Sequence, residues 1–417
     1  MRGLQSLVDP IRPEQFISEY WCIRHLLVHQ AISARDIFAT ALADLAIKDM
    51  LRYADEPVIV MHTTTDGRYK GSPVSKLQAF AFFESGMALY FNLSSSLRNA
   101  REWTKMLASD LGQVESRCKA SLFITPAGWT TEEHFDPNEN FTIQLRGRKQ
   151  WNIAPNDSIK HPVDRFTCSD TISSRMSTYY AYETLTPPKV CCSEDMDPGS
   201  MLYVPRGYWH SVNSLTESVS LNFCIMPETW ISFLMPVIER LLLTNADLRE
   251  VATGVAGVDG LRRSAFHNLK RILPVVSRLV ADMRPEEMFP GINAGAPQMP
   301  GPDDRILRNR LATVVWDPKT TGKTKVTITT RNCLGSDPES AAAASIHGNI
   351  VNPPTTETLM VDREQLTVLD WMLEQSSLSI QAVKSHFTEL SSTDIGNFIL
   401  SLIGTRLFYT SCPIAQH

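Results

Sequence analysis

Several features that define other classes of protein are missing from this sequence of 417 residues. Its eight cysteines include no C-x-x-C pair and are too few for a disulfide scaffold, so we expect reduced thiols and a cytoplasmic protein. The adjacent Cys191 and Cys192 cannot easily chelate one zinc ion together. No apolar run approaches the roughly 18 residues of a membrane span, and the N-terminus lacks the apolar stretch of a secretory signal. The net charge of −5 gives no general attraction for nucleic acid or anionic membranes.

The chain is long enough for two or three domains, and its first part shows a mixed pattern. Residues 11–30 place Phe16, Tyr20 and Ile23 at helical spacing, with Pro13 suited to the first turn. Residues 31–53 are also predicted to be helical. We then expect a strand and turn over 57–70 and a further helix over 94–111.

Residues 118–226 have a different sequence pattern, in which short apolar runs are separated by Gly, Pro and Asn. This pattern predicts an all-β domain with long loops, either a sandwich or a double-sheet jelly roll. The predicted strands are SLFIT, FTIQL, KQWNI, SMLYV and SVSLNFCI.

Helical periodicity returns at residues 227–283, where the apolar faces are broader than a lone surface helix needs. These helices either pack within their own domain or form a dimerisation region. Residues 284–304 are rich in Pro and Gly and are predicted to be a linker.

Residues 305–417 predict a separate small domain with a hairpin, three short helices and a closing strand. That combination is typical of a winged helix. The segment 359–417 nevertheless carries three Lys/Arg against six Asp/Glu, whereas a DNA reader needs a basic face. We therefore expect a structural or protein-binding module and no direct nucleic-acid binding.

The most informative residues are His134, Asp136 and His210. On a strand, residues i and i+2 point to the same face, so His134 and Asp136 can reach one metal ion inside a barrel. Adding His210 from a distant strand gives two imidazoles and one carboxylate, the ligand set of Fe(II) oxygenases. His-x-Asp alone has little specificity, and a lone His210 beside a turn is more often a satisfied histidine.

Lys149 follows the Arg146–Arg148 turn at the start of the next predicted strand. A lysine inside a barrel is costly unless it meets an anion, and a dicarboxylate held on iron at one end would supply that anion at its other end. The alternative is an exposed strand lysine.

The segments FITPAG (123–128), HFD (134–136), IQLRGRKQW (143–151) and PGSMLYVPRGYWH (198–210) resemble the Jumonji-C and cupin-like Fe(II)/2-oxoglutarate oxygenases. Within that family the resemblance is to the ribosomal oxygenase branch of protein hydroxylases, whose N-terminal segment is similar to PEQFISEYWCIRHLLVHQA. It implies an α+β chain with a double-stranded β-helix core, a helical dimerisation region and a C-terminal winged-helix-like domain. The implied boundaries are 1–226 (core about 118–226), 227–283, 284–304 and 305–417.

The resemblance also implies the roles of individual residues. His134, Asp136 and His210 would bind Fe(II), and Lys149 would hold the distal carboxylate of 2-oxoglutarate. Ser121 and Asn222 fall where relatives place polar side chains near this co-substrate, and Phe123 stands where some relatives have tyrosine. The implied reaction uses O2, releases succinate and CO2 from 2-oxoglutarate, and hydroxylates a substrate.

We therefore predict a dioxygenase that hydroxylates a protein or peptide side chain, working as a homodimer. The alternatives are hydroxylation of a small metabolite and a non-catalytic cupin-like interaction protein; demethylation by the same chemistry ranks lower. Candidate substrate contacts are Arg148, Tyr208, Trp209, Tyr179, Tyr180 and Tyr182, although aromatic residues here more often pack in the core or in loops. Glu132, Glu133 and Glu139 are acidic groups that could attract a basic side chain, although each alone is more often part of a solvated charge cluster.

Overall fold

The computed structural model describes residues 2–29, 42–63, 69–93, 97–189, 192–256, 259–288, 300–301, 304–316, 322–330, 355–375 and 377–410. The chain divides into two compact units, Met1–Glu228 and Thr229–His417. No helix in these described ranges is long and apolar enough to cross a membrane.

The first unit is built mainly from antiparallel strands. These strands are β1 Leu26–Val28, β2 Val58–Thr63, β3 Tyr69–Val74, β4 Ala88–Asn92, β5 Cys118–Thr125, β6 His134–Phe135, β7 Glu139–Arg146, β8 Lys149–Ala154, β9 Phe166–Thr167, β10 Cys192–Met196, β11 Met201–Val204, β12 Trp209–Ser214 and β13 Ser218–Ile225. Its helices are α1 Arg2–Val8, α2 Pro13–Glu19, α3 Ile47–Met50, α4 Lys76–Glu84 and α5 Arg98–Asp110.

The strands form two sheets. The larger one has the order β1-β11-β7-β13-β5-β4-β2-β3, and the smaller one has the order β10-β8-β12-β6-β9. Strands that are distant in sequence therefore lie side by side, as in β5 beside β13 and β6 beside β12. The five strands predicted between residues 118 and 226 are all present, and the two-sheet arrangement agrees with the predicted jelly roll.

The period of two along each strand divides the larger sheet into two faces. On β13, Leu221 and Phe223 are fully buried in the main hydrophobic core, together with Leu4 and Phe16 from the N-terminal helices. The alternate residues, Ser220 and Asn222, point to the other face and line a cavity between the sheets. Helices thus cover one face of the sheet, and its opposite face is free to carry polar side chains.

The N-terminal segment departs from the prediction. The helix expected over 11–30 ends at Glu19, and Leu26–Val28 instead forms β1, an edge strand paired with β11. Phe16 in the middle of α2 packs edge-on against Tyr203 of β11 at 4.9 Å between ring centroids. The helix predicted over 31–53 lies partly outside the described residues; its described end contains α3 and a single 3-10 turn, Leu51–Tyr53.

The second unit begins with helices and continues into small sheets. Its helices are α6 Trp230–Leu243, α7 Asp259–Ala281, α8 Pro285–Met288, α9 Arg363–Glu374, α10 Ile380–His386 and α11 Ser392–Gly404. Its strands are β14 Arg305–Arg308, β15 Thr313–Trp316, β16 Thr324–Thr330, β17 Thr355–Val361, β18 Ser377–Ser379 and β19 Phe408–Thr410. Two three-stranded sheets result, β18-β14-β19 and β15-β16-β17.

Most elements of this unit match the prediction. Strands β15 and β16 pair as the expected hairpin, although residues 317–321 of its turn lie outside the described residues. Three short helices and a closing strand follow, packed on one apolar core that includes Leu369, Val383 and Ile399. The predicted linker is only partly described, and its first residues, Pro285–Met288, are helical.

Candidate metal and co-substrate site

The site starts from two histidines that face each other across neighbouring strands. His134 on β6 is the register partner of His210 on β12, and their ring centroids are 4.2 Å apart. Asp136 follows β6 and brings its Oδ2 to 3.8 Å from His134 Nε2 and 3.7 Å from His210 Nε2. One ligand atom from each residue lies within 4.8 Å of the others, so the three could hold a single metal ion. The structure therefore brings together the residues that the sequence predicted as ligands.

Backbone hydrogen bonds decide which ring nitrogens are available. His134 Nδ1 lies 2.8 Å from the carbonyl oxygen of Glu132, and His210 Nδ1 lies 3.0 Å from that of Tyr208. Because a carbonyl can only accept, both Nδ1 atoms carry the hydrogen. Both Nε2 atoms are left with a lone pair, and these are the atoms that face Asp136.

The electrostatics favour the protonation states that metal binding requires. Burial lowers the pKa of His134 to about 3, assisted by the neighbouring His210, and burial also lowers the pKa of His210. Burial raises the pKa of Asp136, but the adjacent His134 and Arg165 outweigh it and hold the pKa below its usual range. Neutral imidazoles beside an ionised carboxylate form a donor set ready for a divalent cation.

Two further contacts position Asp136. The Arg165 guanidinium Nε lies 3.6 Å from Asp136 Oδ1, and the Gly207 N–H donates to the Asp136 carbonyl at 2.9 Å. Gly207 has a φ of 83°, and a Cβ there would lie 2.7 Å from Pro162, so the turn before His210 requires glycine. The sequence prediction missed Arg165, because no spacing relates it to the His-x-Asp motif.

Lys149 is buried and takes part in a short polar relay. Its Nζ donates to Ser220 Oγ at 2.9 Å, and that hydroxyl donates to Gln144 Oε1 at 2.9 Å. Gln144 Nε2 in turn donates to the carbonyls of Arg146 and Gly147 in the β7–β8 turn. Burial lowers the pKa of Lys149 to about 7, and no carboxylate of the described residues forms an ion pair with it. The expectation of an inward-facing lysine is therefore met, and the exposed alternative is wrong.

A cavity of about 260 Å³ contains all six predicted site residues. It lies between the two sheets, with Ser121 and Asn222 from the larger sheet and His134, Lys149 and His210 from the smaller one or its loops. Ser121 and Asn222 are register partners on β5 and β13, and Asn222 also accepts a hydrogen bond from Thr142. Besides the six predicted residues, the lining consists of Met61, Tyr90, Phe123, Trp129, Thr131, Asn138, Asn140, Thr142, Trp151, Arg165, Val204, Val212, Ser220 and Cys224.

Three aromatic residues in that lining, Tyr90, Trp129 and Trp151, were not predicted. Trp151 stacks on His210 at 5.6 Å, and alternation along β8 could have placed it on the same face as Lys149. Tyr90 lies beside Phe123 on the neighbouring strand, with ring centroids 4.7 Å apart. Its hydroxyl donates to Asn92 at 3.2 Å.

The predicted substrate contacts do not line the cavity. Arg148 points outward and pairs with Asp197 at 2.7 Å, while Trp209 is buried against Phe135 and Phe166. The Tyr208 hydroxyl donates to the Ile23 carbonyl. The tyrosine-rich segment packs locally: Tyr179 bonds Asp164, Tyr180 bonds the Thr184 carbonyl, and Tyr182 is largely exposed.

The three glutamates near the motif also have different surroundings. Glu132 accepts a hydrogen bond from Ser169 at the surface, and Glu133 offers its backbone carbonyl to Cys168. Glu139 is fully buried, where it accepts from the Tyr203 hydroxyl at 2.5 Å and from the Arg206 N–H at 3.2 Å. Its role as a surface charge that attracts substrate is therefore wrong, since it stabilises the turn that leads to His210.

Comparison with known proteins agrees with this geometry. Residues 92–232 match the model of the JmjC domain, a stretch that contains all six predicted site residues. The chain is 24% identical over 302 residues to the uncharacterised protein YxbC of Bacillus subtilis, covering 69% of this chain and 90% of that protein. It is 25% identical to ribosomal oxygenase 1 of Danio rerio (54% of this chain, 40% of that protein) and 23% identical to the bifunctional lysine-specific demethylase and histidyl-hydroxylase NO66 of Dictyostelium discoideum (60% and 48%).

Residues 92–232 thus match a JmjC domain, in agreement with the two-sheet, cupin-type arrangement, and the predicted resemblance of the chain to ribosomal oxygenases is confirmed. The chain spans less than half the length of the ribosomal oxygenase 1 and NO66 proteins named here. Among solved structures, YcfD, a ribosomal oxygenase from Escherichia coli, aligns over 97% of this chain and 99% of its own at 11% identity. With a TM-score of 0.38, that alignment adds nothing to the family match.

Proposed function

We propose that this protein is an Fe(II)- and 2-oxoglutarate-dependent dioxygenase that hydroxylates a side chain of a protein or peptide. The observation that carries the proposal is the content of one cavity. It holds two imidazole Nε2 atoms and a carboxylate around a common point, and a buried lysine without a counter-charge among the described residues. The first group suits a divalent metal ion and the second suits the free carboxylate of a dicarboxylic acid.

The strand register supports placing the metal ion at one end of the cavity and the distal carboxylate of the co-substrate at the other. His210 pairs with Ile153 of β8, and Lys149 lies four residues earlier on that strand. At about 3.3 Å per residue, the two levels are separated by roughly 13 Å along the strand. Side chains that extend into the gap from both levels leave room for a five-carbon dicarboxylate between them.

The residues would divide the work as follows. His134, Asp136 and His210 would hold the metal ion, which when bound supplies the redox chemistry of oxygen activation. Lys149 would pair with the distal carboxylate of 2-oxoglutarate, while Ser220 and Gln144 keep its amine directed into the cavity. Ser121 and Asn222 would supply polar contacts along the co-substrate. Trp151 and Val212 would exclude water from one wall.

The size of the cavity favours a large substrate that inserts one side chain. Its volume of about 260 Å³ falls below the roughly 300–1,000 Å³ of sites that enclose a whole small-molecule ligand. A co-substrate would take up much of that volume, so a metabolite would not be enclosed together with it. The names of two relatives, ribosomal oxygenase and histidyl-hydroxylase, also refer to protein substrates.

The second unit would serve docking and assembly. Helices α6 and α7 expose several large apolar side chains, which suits a homodimer interface over 227–283; they are Trp230, Ile231, Met235, Leu243, Leu261, Phe266, Leu269 and Leu273. Helices α9, α10 and α11 with the sheet β18-β14-β19 suit a winged-helix-like domain over 305–417. We assign it to protein contacts because its last part is acidic.

Succinate release by the purified protein, supplied with Fe(II), ascorbate and 2-oxoglutarate, tests the proposed activity. Turnover uncoupled from substrate is expected in the wild type and absent from His134→Ala. Adding peptide pools should raise succinate release, and mass spectrometry should then find a product heavier by one oxygen atom. Loss of a methyl group with release of formaldehyde would instead assign demethylation. Absence of turnover together with absence of metal and 2-oxoglutarate binding would favour the non-catalytic scaffold.

A further inference from the structure

A second group of metal-ligating side chains lies outside the cavity. His25, Cys192 and Glu194 bring one ligand atom each within 4.8 Å of one another. His25 Nε2 is 3.3 Å from Glu194 Oε1, and Cys192 Sγ is 3.2 Å from the same oxygen. None of the three lines the cavity that contains His134.

The fold gives this group a defined position. His25 immediately precedes β1, the edge strand of the larger sheet, and Cys192 and Glu194 belong to β10, the edge strand of the smaller sheet. Cys192 and Glu194 are residues i and i+2 of one strand, so both point to the same face. Their register partners, Ile153 and Trp151, are inward-facing residues of β8, so this face of β10 is the one turned toward the other sheet. The three side chains thus meet where the two sheet edges approach each other.

The distances suit a tetrahedral zinc ion. With zinc about 2.0–2.3 Å from nitrogen, oxygen and sulfur, neighbouring ligand atoms are separated by roughly 3.3–3.7 Å. The two hydrogen-bonded separations of 3.3 and 3.2 Å are close to that range before any metal is placed. A thiolate and a carboxylate also balance the charge of a divalent ion, while the imidazole adds a neutral donor.

A metal ion can reach this group from solvent, and the His25 ring is held in a defined orientation. The His25 and Glu194 side chains retain 26% and 23% of their accessible surface, and Cys192 is exposed, so an ion can enter from solvent. The His25 ring packs edge-on against Tyr208 at 6.3 Å between centroids, which restricts its rotation. The Tyr208 hydroxyl bonds the Ile23 carbonyl and so fixes the same segment of backbone.

We propose that His25, Cys192 and Glu194 bind a zinc ion that joins the edge strands of the two sheets. On binding, the Cys192 thiol releases its proton to solvent, and its sulfur forms a bond to the metal. Water completes the tetrahedron. The ion closes the open edge of the barrel and fixes the N-terminal segment against it.

Cobalt substitution tests the site with a readout specific to sulfur. Co(II) bound to a thiolate gives a near-ultraviolet charge-transfer band, which the His134, Asp136 and His210 set cannot produce. The band is expected in the wild type and in His210→Ala. It is expected to vanish in Cys192→Ser and His25→Ala, with affinity reduced on the order of 100-fold in Glu194→Gln. Cys168→Ser is the matched control and should keep the band.

Thermal unfolding gives an independent measurement on the same variants. Zinc should raise the midpoint temperature of unfolding of the wild type and of Cys168→Ser. The rise that comes from the His25, Cys192 and Glu194 site should be absent from Cys192→Ser. Because Cys192 is exposed, its serine variant should fold, which circular dichroism checks. A missing band in the wild type would identify an ordinary His25–Glu194 ion pair and overturn the proposal. A band that survives in Cys192→Ser, or disappears in His210→Ala, would assign cobalt to other ligands and overturn it equally.

Discussion

His134 and His210 are register partners on adjacent antiparallel strands. Each donates its Nδ1–H to the backbone carbonyl oxygen of the residue two positions earlier in the sequence. The two strands therefore present the imidazoles in the same way, with both Nε2 atoms facing Asp136. Because backbone carbonyls fix both tautomers, no additional side chain is needed to orient the rings.

Replacing Lys149 by methionine should stabilise the fold near neutral pH. Burial lowers the pKa of Lys149 from 10.5 to about 7, so keeping it charged costs the folded state on the order of 3–5 kcal/mol. This destabilisation of the folded state has its full value below about pH 7, where the lysine is protonated in both the folded and the unfolded state. It is relieved as pH rises toward 10.5, where only the unfolded state still binds the proton.

Urea unfolding at several pH values measures this effect. The free energy of unfolding of Lys149→Met should exceed that of the wild type at pH 6–7, and the difference should shrink as pH rises. The exposed neighbour provides the control, since Arg148→Met should show no such dependence. A Lys149→Met protein less stable than wild type at pH 6 would mean that the amine is held by a charge of the fold itself.

The affinity for 2-oxoglutarate should fall as pH rises above about 7. A lysine with that pKa is largely neutral at higher pH, and pairing with a carboxylate requires it to regain a proton. Calorimetry in buffers of different ionisation enthalpy should therefore detect proton uptake on binding at about pH 8. Lys149→Arg keeps its charge, so both the proton uptake and the fall in 2-oxoglutarate affinity with pH should be lost in this variant. An equal fall in affinity in Lys149→Arg would assign the pH dependence to another group.

Gly147 should be required for the turn that carries Lys149. Its φ is 72°, and a Cβ at this position would lie 2.0 Å from the Glu217 carbonyl oxygen. Gly128 is a matched control with a φ of 76° and no atom within 4 Å of an added Cβ. Gly128→Ala should lose about 1 kcal/mol from backbone strain alone. Gly147→Ala should lose several times more by urea unfolding, and equal losses would contradict the close packing of this turn.

Tyr203→Phe should destabilise the first unit by about 2 kcal/mol or more. The buried Tyr203 hydroxyl donates to Glu139 at 2.5 Å and accepts from the Cys22 N–H at 2.8 Å, so its removal leaves both groups without this partner. Tyr182→Phe, at a side chain that is 71% exposed, should have almost no effect. The comparison is made by chemical denaturation, and similar midpoints for the two variants would show that the network contributes little.

The parts of the fold that could be predicted from sequence are those with local signals. Alternating apolar residues and Gly-containing turns marked the strands around His134, Lys149 and His210, because strand periodicity depends only on neighbours. The His-x-Asp spacing placed two ligands on one face for the same reason. Likewise, the three short helices predicted in 305–417 have local signals of their own, such as the capping box at Asp362 that begins α9.

The features that were missed depend on partners distant in sequence. Leu26–Val28 was predicted as helix because Phe16, Tyr20 and Ile23 fit helical spacing, yet its pairing with Met201–Tyr203 makes it a strand. Arg165 reaches Asp136 from a long loop, and Glu139 is buried only because Tyr203 and Arg206 converge on it. No local pattern carries that information. The second metal-ligating group was missed for the same reason, since His25 and Glu194 are 169 residues apart.

Calorimetric titration of 2-oxoglutarate into protein loaded with Mn(II), a redox-silent substitute for Fe(II), tests the central claim most directly. One equivalent should bind to the wild type when metal is present, and none should bind to metal-free protein or to His210→Ala. Lys149→Met should bind on the order of 100-fold more weakly, whereas Arg148→Met, whose side chain lies outside the cavity, should match the wild type. Binding that is independent of metal, or equal in Lys149→Met and Arg148→Met, would contradict a site that spans the metal ligands and Lys149.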